Sequence, residues 1–309
     1  MLDENAPQSV CAVVVTYFPD ALFPLRVAKV SEQVDHLIVV DNGTTGPTAS
    51  GFGRVLVRPG ITLIRNVENT GVAAALNRGV KEALSRGFPW VLLLDQDSTP
   101  MPGMVATMVE CGRAFPHEAR PAILGPRTEI ENYDGDAGWR PGDGPWKEVS
   151  HVITSGSLVS TAAFQAVGGF QESLFIDYVD IEYCLRLRSR GFRVVHVRDA
   201  VLRHRLGRIA KRRFLRRTVH PSHHDPVRRY YQFRNALLVQ RAYKRHDPAW
   251  RRTNRLILIK IACLMLLFER RRLKKFLQAL RGIRHGLLGR AGRHGEVAFQ
   301  VTKVPSELK

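Results

Sequence analysis

Apolar and polar positions follow two different rhythms along this chain, and the change of rhythm divides it. Residues 10–17 (VCAVVVTY) are apolar and β-branched with no polar face, the pattern of a strand buried on both sides. The same pattern marks residues 36–40 (HLIVV), 61–65 and 90–94 (WVLLL). Between these runs lie helical stretches, at about 21–34 and at 71–86. The second is Ala-rich and is closed by Gly87 just after its C-cap. Strands alternating with helices predict right-handed crossovers and an α/β fold with a largely parallel central sheet. Such sheets bind ligands beyond the C-terminal ends of their strands. Polar residues at 16–17, 41–42 and 95–97 all fall on that edge, and their coincidence places the site there.

Further along, 126–151 is rich in Gly, Pro, Asp and Trp and reads as an irregular insertion. Residues 153–160 return to strand character, 162–167 form a short helix, and 192–197 give another strand. Residues 175–190 mix carboxylates with apolar positions at helical spacing. Beyond about 205 the chain is Arg-rich and helical, with no strand alternation. Two regions are therefore expected. One is an α/β domain over 1–204, with halves at about 10–100 and 101–204. The other is a basic helical region over 205–309.

Charge sharpens that division. The 309 residues hold 47 Lys and Arg against 28 Asp and Glu, a formal charge of +19. Residues 1–200 hold 18 basic and 23 acidic side chains, a net of −5, whereas 201–309 hold 29 and 5, a net of +24. The four cysteines, Cys11, Cys111, Cys184 and Cys263, are far apart and show no CxxC spacing. Neither a disulfide scaffold nor a zinc ribbon is expected, and a reducing compartment is. The opening residues MLDENAPQ lack the basic and apolar segments of a signal peptide. No run of 18 uninterrupted apolar residues is present; residues 256–268 (LILIKIACLMLLF) come nearest.

The first strand is followed by no GxGxxG, and no GxxxxGK[ST] loop occurs. A phosphorylated ligand would then be neutralised by a divalent cation held on hard oxygen ligands at a strand end. Asp95-Gln96-Asp97 supplies two such carboxylates directly after a buried strand. The competing reading is a loop in which Asp97 or Ser98 caps a following helix. Asp41 in Asp41-Asn42-Gly43 can accept from a base imide or a ribose hydroxyl, or can simply close an Asx-turn. Asp177, Asp180 and Glu182 form a second acidic cluster. Helical spacing places Asp177 and Asp180 on one face and turns Glu182 away. A carboxylate there could take a proton from an attacking hydroxyl, or could pair with Arg186 and Arg188 on a solvated face.

Taken in order, VVVTYFPD, LIVVDNGT, NVENTGVAAALNRGV and WVLLLDQDS resemble the family 2 glycosyltransferases of the GT-A fold. SGSLVSTAAFQAVGGFQESLFIDYVDIEYCLRLRSRGFRVV, HRLG at 204–207 and YYQFRN at 230–235 resemble its rhamnosyltransferase branch. The likeness covers roughly residues 10–240. It implies that Thr16, Tyr17, Asp41 and Asn42 contact the nucleotide, and that Asn69 and Gly71 lie beside it, with Asn77 packing. Asp95 and Gln96 would bind the donor and Asp97 would coordinate Mg2+ or Mn2+, with Asp95 close to the metal. His204 would complete the metal site or touch the diphosphate. Arg203, Arg205 and Arg208 would clamp the diphosphate. Counted back from Cys184-Leu185-Arg186, Asp180 matches the catalytic base and Glu182 the second acid. The family's usual Glu before the base is Val179 here, which leaves Asp177 a rival. Ser155 and Gly156 resemble the turn beneath the acceptor, and Trp139 or Trp146 is a candidate sugar platform.

The resemblance implies an inverting, metal-dependent transfer from a nucleotide sugar, dTDP-L-rhamnose, to a lipid-linked or polysaccharide acceptor in cell-surface glycan synthesis. UDP-galactofuranose or a UDP-hexose is the alternative donor. The basic region has an apolar stretch of 13 residues, about 20 Å of helix, which is short of a bilayer core. It is expected to lie on an anionic membrane surface, making the protein cytoplasmic and peripheral; a core helix is the competing reading. The high charge also raises a nucleic-acid-binding protein. The basic residues interleave with Leu and Ile rather than stacking aromatics, so no nucleic-acid partner is expected. A non-catalytic scaffold is disfavoured by the DQD and by Asp180. His220, His223, His224 and Asp225 are a weaker candidate for a separate metal site.

Overall fold

In a computed structural model, residues 9–46, 58–116, 119–130, 139–140, 142–204, 212–214, 217–219, 221–295 and 299–300 are described. The chain forms two compact units. The first comprises Met1–Phe170 and Tyr183–Arg205, the second Gln171–Glu182 and Leu206–Lys309. The second unit thus includes an acidic stretch that the sequence pattern leaves with the first.

In the first unit, β1 (Val10–Thr16), α1 (Phe23–Ser31), β2 (His36–Asp41), β3 (Ile61–Arg65), α2 (Val72–Ser85) and β4 (Trp90–Asp95) follow in the expected order. Then come β5 (Ser98–Pro100), α3 (Met104–Arg113), β6 (Ile123–Ile130), β7 (Trp146–Glu148), β8 (Leu158–Ser160) and α4 (Thr161–Val167). Next are α5 (Val179–Ser189), through which the division between units passes, and β9 (Val194–His204). Strand order is β3-β2-β1-β4-β8-β6-β9-β5, with β7 also on β9. The β3-β2-β1-β4 half is parallel. The other half is mixed, with β6 and β9 parallel and β8, β5 and β7 antiparallel to their neighbours. Every residue of β1 is buried, as the unbroken β-branched run requires. Gly79 lets α2 lie against β1, since a Cβ there would collide with Val13. Leu92, Leu94, Val39, Met108, Leu158 and Val195 share one core beneath the sheet.

Three expectations need correction. Residues 123–130 form a strand where 126–151 reads as irregular, because β6 takes its ladder from β9, far away in sequence. Only 158–160 of the expected 153–160 strand is extended. The basic region contains two short hairpins, β10 (Arg212–Phe214) with β11 (Arg217–Val219) and β12 (Arg290–Ala291) with β13 (Phe299–Gln300).

The second unit is built on α6 (Pro226–Ala242), α7 (Pro248–Phe268) and α8 (Arg272–Leu287). The first two helices open on Asp-Pro. Asp225 accepts from the Val227 N–H at 2.9 Å and Asp247 from the Trp250 N–H at 2.8 Å, with proline pre-set at the first helical position. The 256–268 stretch is therefore the C-terminal part of a 21-residue helix. Phe233, Ala236, Leu258, Met265 and Ala279 form the core of this unit. Gly282 and Gly286 of α8 let its backbone approach that of α6, where any Cβ would meet Tyr230 and Arg234 main-chain atoms. No described helix is long and apolar enough to cross a membrane.

Candidate functional site

The strand order reverses between β1 and β4, and this switch point is where open α/β sheets hold ligands. Register brings the expected residues to one edge there: Thr16 pairs with Asp41 and Val15 with Asp95. Thr16 is buried and donates its hydroxyl to Gln96 Oε1 at 2.8 Å. The Tyr17 N–H donates to the same oxygen at 2.7 Å. Gln96 thus ties the end of β1 to the loop after β4. Tyr17 and Phe18 stand exposed beside it, edge to face with ring centroids 4.7 Å apart.

Asp41 is 2% exposed and accepts from the Thr44 N–H at 3.1 Å, so the turn reading of this residue holds in part. Asn42 is committed to structure. Its Nδ2 donates to Asn69 Oδ1 and Gly71 O, while its Oδ1 accepts from Asn66 Nδ2 and from the Thr70 N–H and hydroxyl. Asn69 in turn accepts from the Gly71 N–H at 3.0 Å. Asn42 and Asn69 therefore hold the 66–71 loop against the end of β2. Gly43 makes the approach possible, with φ of +88° and no room for a Cβ against the Glu68 and Asn69 backbone. Asn77 is buried and exchanges two hydrogen bonds with the Phe170 backbone, as a packing residue does.

After Asp95 and Asp97 comes strand β5, not a helix, which removes the helix-cap reading of Asp97. The Asp95 N–H donates to Ser155 Oγ at 3.0 Å, and Ser155 donates to Ser98 Oγ at 2.6 Å. Gly156 follows with φ of +85°, and its N–H donates to Leu93 O at 2.7 Å. Ser155 and Gly156 thus support the carboxylate loop itself. Arg26, which the sequence pattern did not single out, donates to Gln96 O at 3.1 Å and is held by Asp20. Its pKa is raised, first by the Asp20 hydrogen bond, with Asp97 among the charges that add to it. Only spacing to an element seventy residues on could have revealed it.

The register of β5 on β9 sets Ser98 opposite His204, placing the His204 backbone beside the loop that carries Asp97. Two half-buried carboxylates offer hard oxygen donors of the kind Mg2+ and Mn2+ prefer, so the residues fit a divalent cation. Among the described residues no three His, Cys, Asp or Glu side chains group around a metal position. A cation held here would complete its shell with water or diphosphate oxygens. His204 is described through its backbone alone, and Arg205 and Arg208 lie outside the described residues, as does His220.

In the second unit the acidic segment departs from helical spacing. Phe175, Asp177 and Tyr178 have positive φ, at 67°, 61° and 67°, and α5 begins only at Val179. Asp177 therefore does not share a helix face with Asp180. This backbone is fixed from α6. Asn235 Nδ2 lies 2.8–2.9 Å from the carbonyls of Leu174, Ile176 and Asp177. The buried Arg234 donates to the carbonyls of Ser173 and Leu174. The Asp177 carboxylate is held by Arg228 through contacts of 3.1–3.3 Å; burial raises its pKa even so. Glu182 is buried and accepts from the Tyr243 hydroxyl at 2.7 Å. Tyr178 accepts from Asn254 at 2.9 Å. Asp180 sits half-buried in the first turn of α5.

Other candidates go elsewhere. Trp139 stacks on His196 at 5.6 Å with Lys147 above it, and Trp146 packs on Phe115 at 4.5 Å. His224 stays neutral, its pKa pushed down to about 3 by burial and then by Arg228, Arg229 and Lys275. A cavity of about 410 Å³ lined by Val34, His36, Arg58 and Ile61 opens at the N-terminal edge of β2 and β3. None of the candidate residues lines it.

The family described as glycosyl transferase family 2 matches residues 11–118. The dTDP-rhamnosyl transferase RfbF of Shigella flexneri is 31% identical over 255 residues, covering 78% of this chain and 82% of that protein. Among solved structures, Staphylococcus aureus TarS 1–349 with UDP-GlcNAc shares 15% identity at a TM-score of 0.57 over 90% of this chain and 80% of its own. The mannosyltransferase PcManGT of Pyrobaculum calidifontis, in complex with GDP-Man and Mn2+, shares 16% at 0.57 over 96% and 78%. GalNAc-T7 with UDP, GalNAc and Mn2+ shares 10% at 0.61 over 92% and 56%. With the GT-A fold and a rhamnosyltransferase-like relative over most of its length, the chain belongs to glycosyltransferase family 2 and is a glycosyltransferase.

Proposed function

We propose that this enzyme transfers L-rhamnose from dTDP-L-rhamnose to a lipid-linked or polysaccharide acceptor in bacterial cell-surface glycan synthesis, by one inverting displacement assisted by Mg2+ or Mn2+. The observation that carries the reading is the join made by Gln96 at the strand switch point. It brings Thr16 and Tyr17 to the Asp95–Asp97 loop, while register sets Asp41 beside Thr16. The 31% identity to a dTDP-rhamnosyl transferase supports the donor.

Asp41 and the exposed Tyr17 receive the nucleoside, and Asn42 and Asn69 shape the loop beside it. Asp95 and Asp97 would hold the cation, whose charge would offset that of the diphosphate leaving group. By the family resemblance, His204 and Arg205 would bind that diphosphate. Asp180 takes the proton of the attacking acceptor hydroxyl. Asp177, whose carboxylate Arg228 holds, is the rival for that role, and Glu182 accepts from the Tyr243 hydroxyl. The acceptor is membrane-held, and the enzyme works as a cytoplasmic peripheral protein.

The test is a donor screen with purified protein, reading nucleoside diphosphate release. dTDP-L-rhamnose is expected to turn over at least ten times faster than UDP-galactofuranose or UDP-glucose, and EDTA to abolish turnover until Mg2+ or Mn2+ is restored. Preference for a UDP-sugar would overturn the donor, and EDTA resistance the metal.

A further inference from the structure

The outer faces of α7 and α8 carry an apolar surface of one charge sign. Of the 18 exposed large hydrophobic residues among those described, 11 lie between Leu256 and Leu288. On α7, Leu256, Ile259 and Leu266 recur at helical spacing, with exposed Cys263 in the same stripe. On α8, Leu273, Leu277 and Leu280 do the same. The opposite faces, through Leu258, Met265 and Ala279, are spent on the core of the unit. The outer leucines therefore have no interior role, and a patch of this kind on a folded unit marks a docking surface.

Charge identifies the occupant. Between Pro248 and Gly295 the sole carboxylate is Glu269, buried against Arg229 and Lys275. Arg255, Lys260, Arg270, Arg272, Lys274 and Arg281 are exposed around the stripes with no exposed acid among them. A second copy of the same face would meet like charge. Leu and Ile fill most of the space between the cations, with Phe276 the one exposed ring there among the described residues, which suits acyl chains better than bases. We propose that the α7–α8 outer face docks on an anionic lipid leaflet, with the leucine stripes among the acyl chains and the Arg and Lys side chains at the headgroups. This deepens the reading of a membrane-held acceptor given above and rests on it for its purpose. The binding itself is independent of donor chemistry.

Full-length protein is floated with phosphatidylcholine vesicles, with and without 30 mol% phosphatidylglycerol, at 50 mM and 500 mM NaCl. At least tenfold more protein is expected on the anionic vesicles at low salt, with loss at high salt. The variant Leu256→Ser, Ile259→Ser, Leu273→Ser, Leu277→Ser is expected to lose at least tenfold in vesicle binding while keeping its nucleoside diphosphate release in solution. An environment-sensitive dye on Cys263 provides a second readout in otherwise unaltered protein, and its emission should shift to the blue on anionic vesicles. Unshifted emission would overturn the proposal, as would equal binding to neutral vesicles. So would a dimer that the fourfold variant dissociates, or tighter binding to a short DNA or RNA than to vesicles. Vesicle binding without turnover of dTDP-L-rhamnose would sink the donor reading alone, and turnover without vesicle binding would sink this one alone.

Discussion

In the sheet unit, β1, β2 and β4 bury Val, Ile and Leu on both faces, and buried polar groups such as Thr16, Asp41 and Ser155 collect at strand ends and in the loops beside them. In the helical unit the interior itself is polar. Arg229, Arg234, Lys275, Glu269, Asn235 and Asn254 are all buried, while leucines such as Leu256, Leu273 and Leu277 lie outside. The sheet unit can let its apolar core set the fold and reserve polar chemistry for one edge. The helical unit has few core aliphatics and stabilises itself through hydrogen bonds and ion pairs, several of which end on the acidic segment. The basic region therefore does more than carry charge: it fixes the backbone of the acidic segment from Ser173 to Asp177.

The sharpest challenge to that contrast is chemical. Asp180→Asn should lower kcat by about 10²–10⁴-fold, the range for losing a general base, with donor KM little changed. Asp177→Asn should act mainly on stability, because it releases Arg228. A dead Asp177→Asn beside an active Asp180→Asn, in a nucleoside diphosphate release assay, would exchange their roles.

Next in size is Glu269→Gln. Glu269 is 1% exposed and lies between Arg229 and Lys275, at 2.6 Å from the Lys275 Nζ. Removing one member of a buried ion network leaves uncompensated charge and costs about 3–5 kcal/mol. Urea unfolding should show that loss in the helical unit. A loss below about 1 kcal/mol would mean that this interior is better hydrated than its burial implies.

Asn235→Ala strips the amide from three carbonyls of the 174–177 segment and should cost about 1–3 kcal/mol for each group left unsatisfied, within a backbone already bent into positive φ. Its distinguishing mark is functional. kcat should fall with donor KM unchanged, and Asn235→Asp should rescue little, since a carboxylate cannot donate to carbonyl oxygens.

These residues also show where the sequence was readable. The β1 to β4 half and α2 follow from local runs, and the DQD, VVDN and ENTG motifs stand at the strand ends where periodicity puts them. What escaped was non-local. Strand β6 contains Gly125, Pro126 and Arg127, and along that stretch its ladder partner is β9. Asp177 leaves the helical phase because Asn235, 58 residues on, holds its carbonyl. Asn42 resembled a ligand contact, and its side chain is taken up by five hydrogen bonds that no spacing rule announces. The Arg-rich region read as a membrane-surface segment, yet Arg229 and Arg234 are among the most buried side chains of the described residues.

A smaller effect separates the two interiors by pH. His224 has a folded pKa of about 3, against about 6.5 when unfolded. Its neutral form belongs to the folded state, so its contribution is complete above about pH 6.5 and is lost as pH falls from there toward 3. The slope is at most about 1.4 kcal/mol per pH unit. Urea midpoints measured from pH 7.5 to 5 should decline, and His224→Gln should flatten part of that decline. An unchanged slope would place His224 in contact with water.

The smallest effect tests the sheet unit. Ser155→Ala removes the acceptor of the Asp95 N–H and the donor to Ser98, at a cost of about 1–3 kcal/mol for the buried group left unpaired. Because Ser155 touches the loop backbone and neither carboxylate, the fold should survive while the Asp95–Asp97 loop loses its support. The readout is the Mn2+ concentration for half-maximal turnover, expected to rise several-fold with kcat at saturating metal nearly restored. If kcat fell without any change in metal requirement, Ser155 would be acting on the acceptor side instead. The sheet unit would then carry both ligands on the loop that joins β4 to β5.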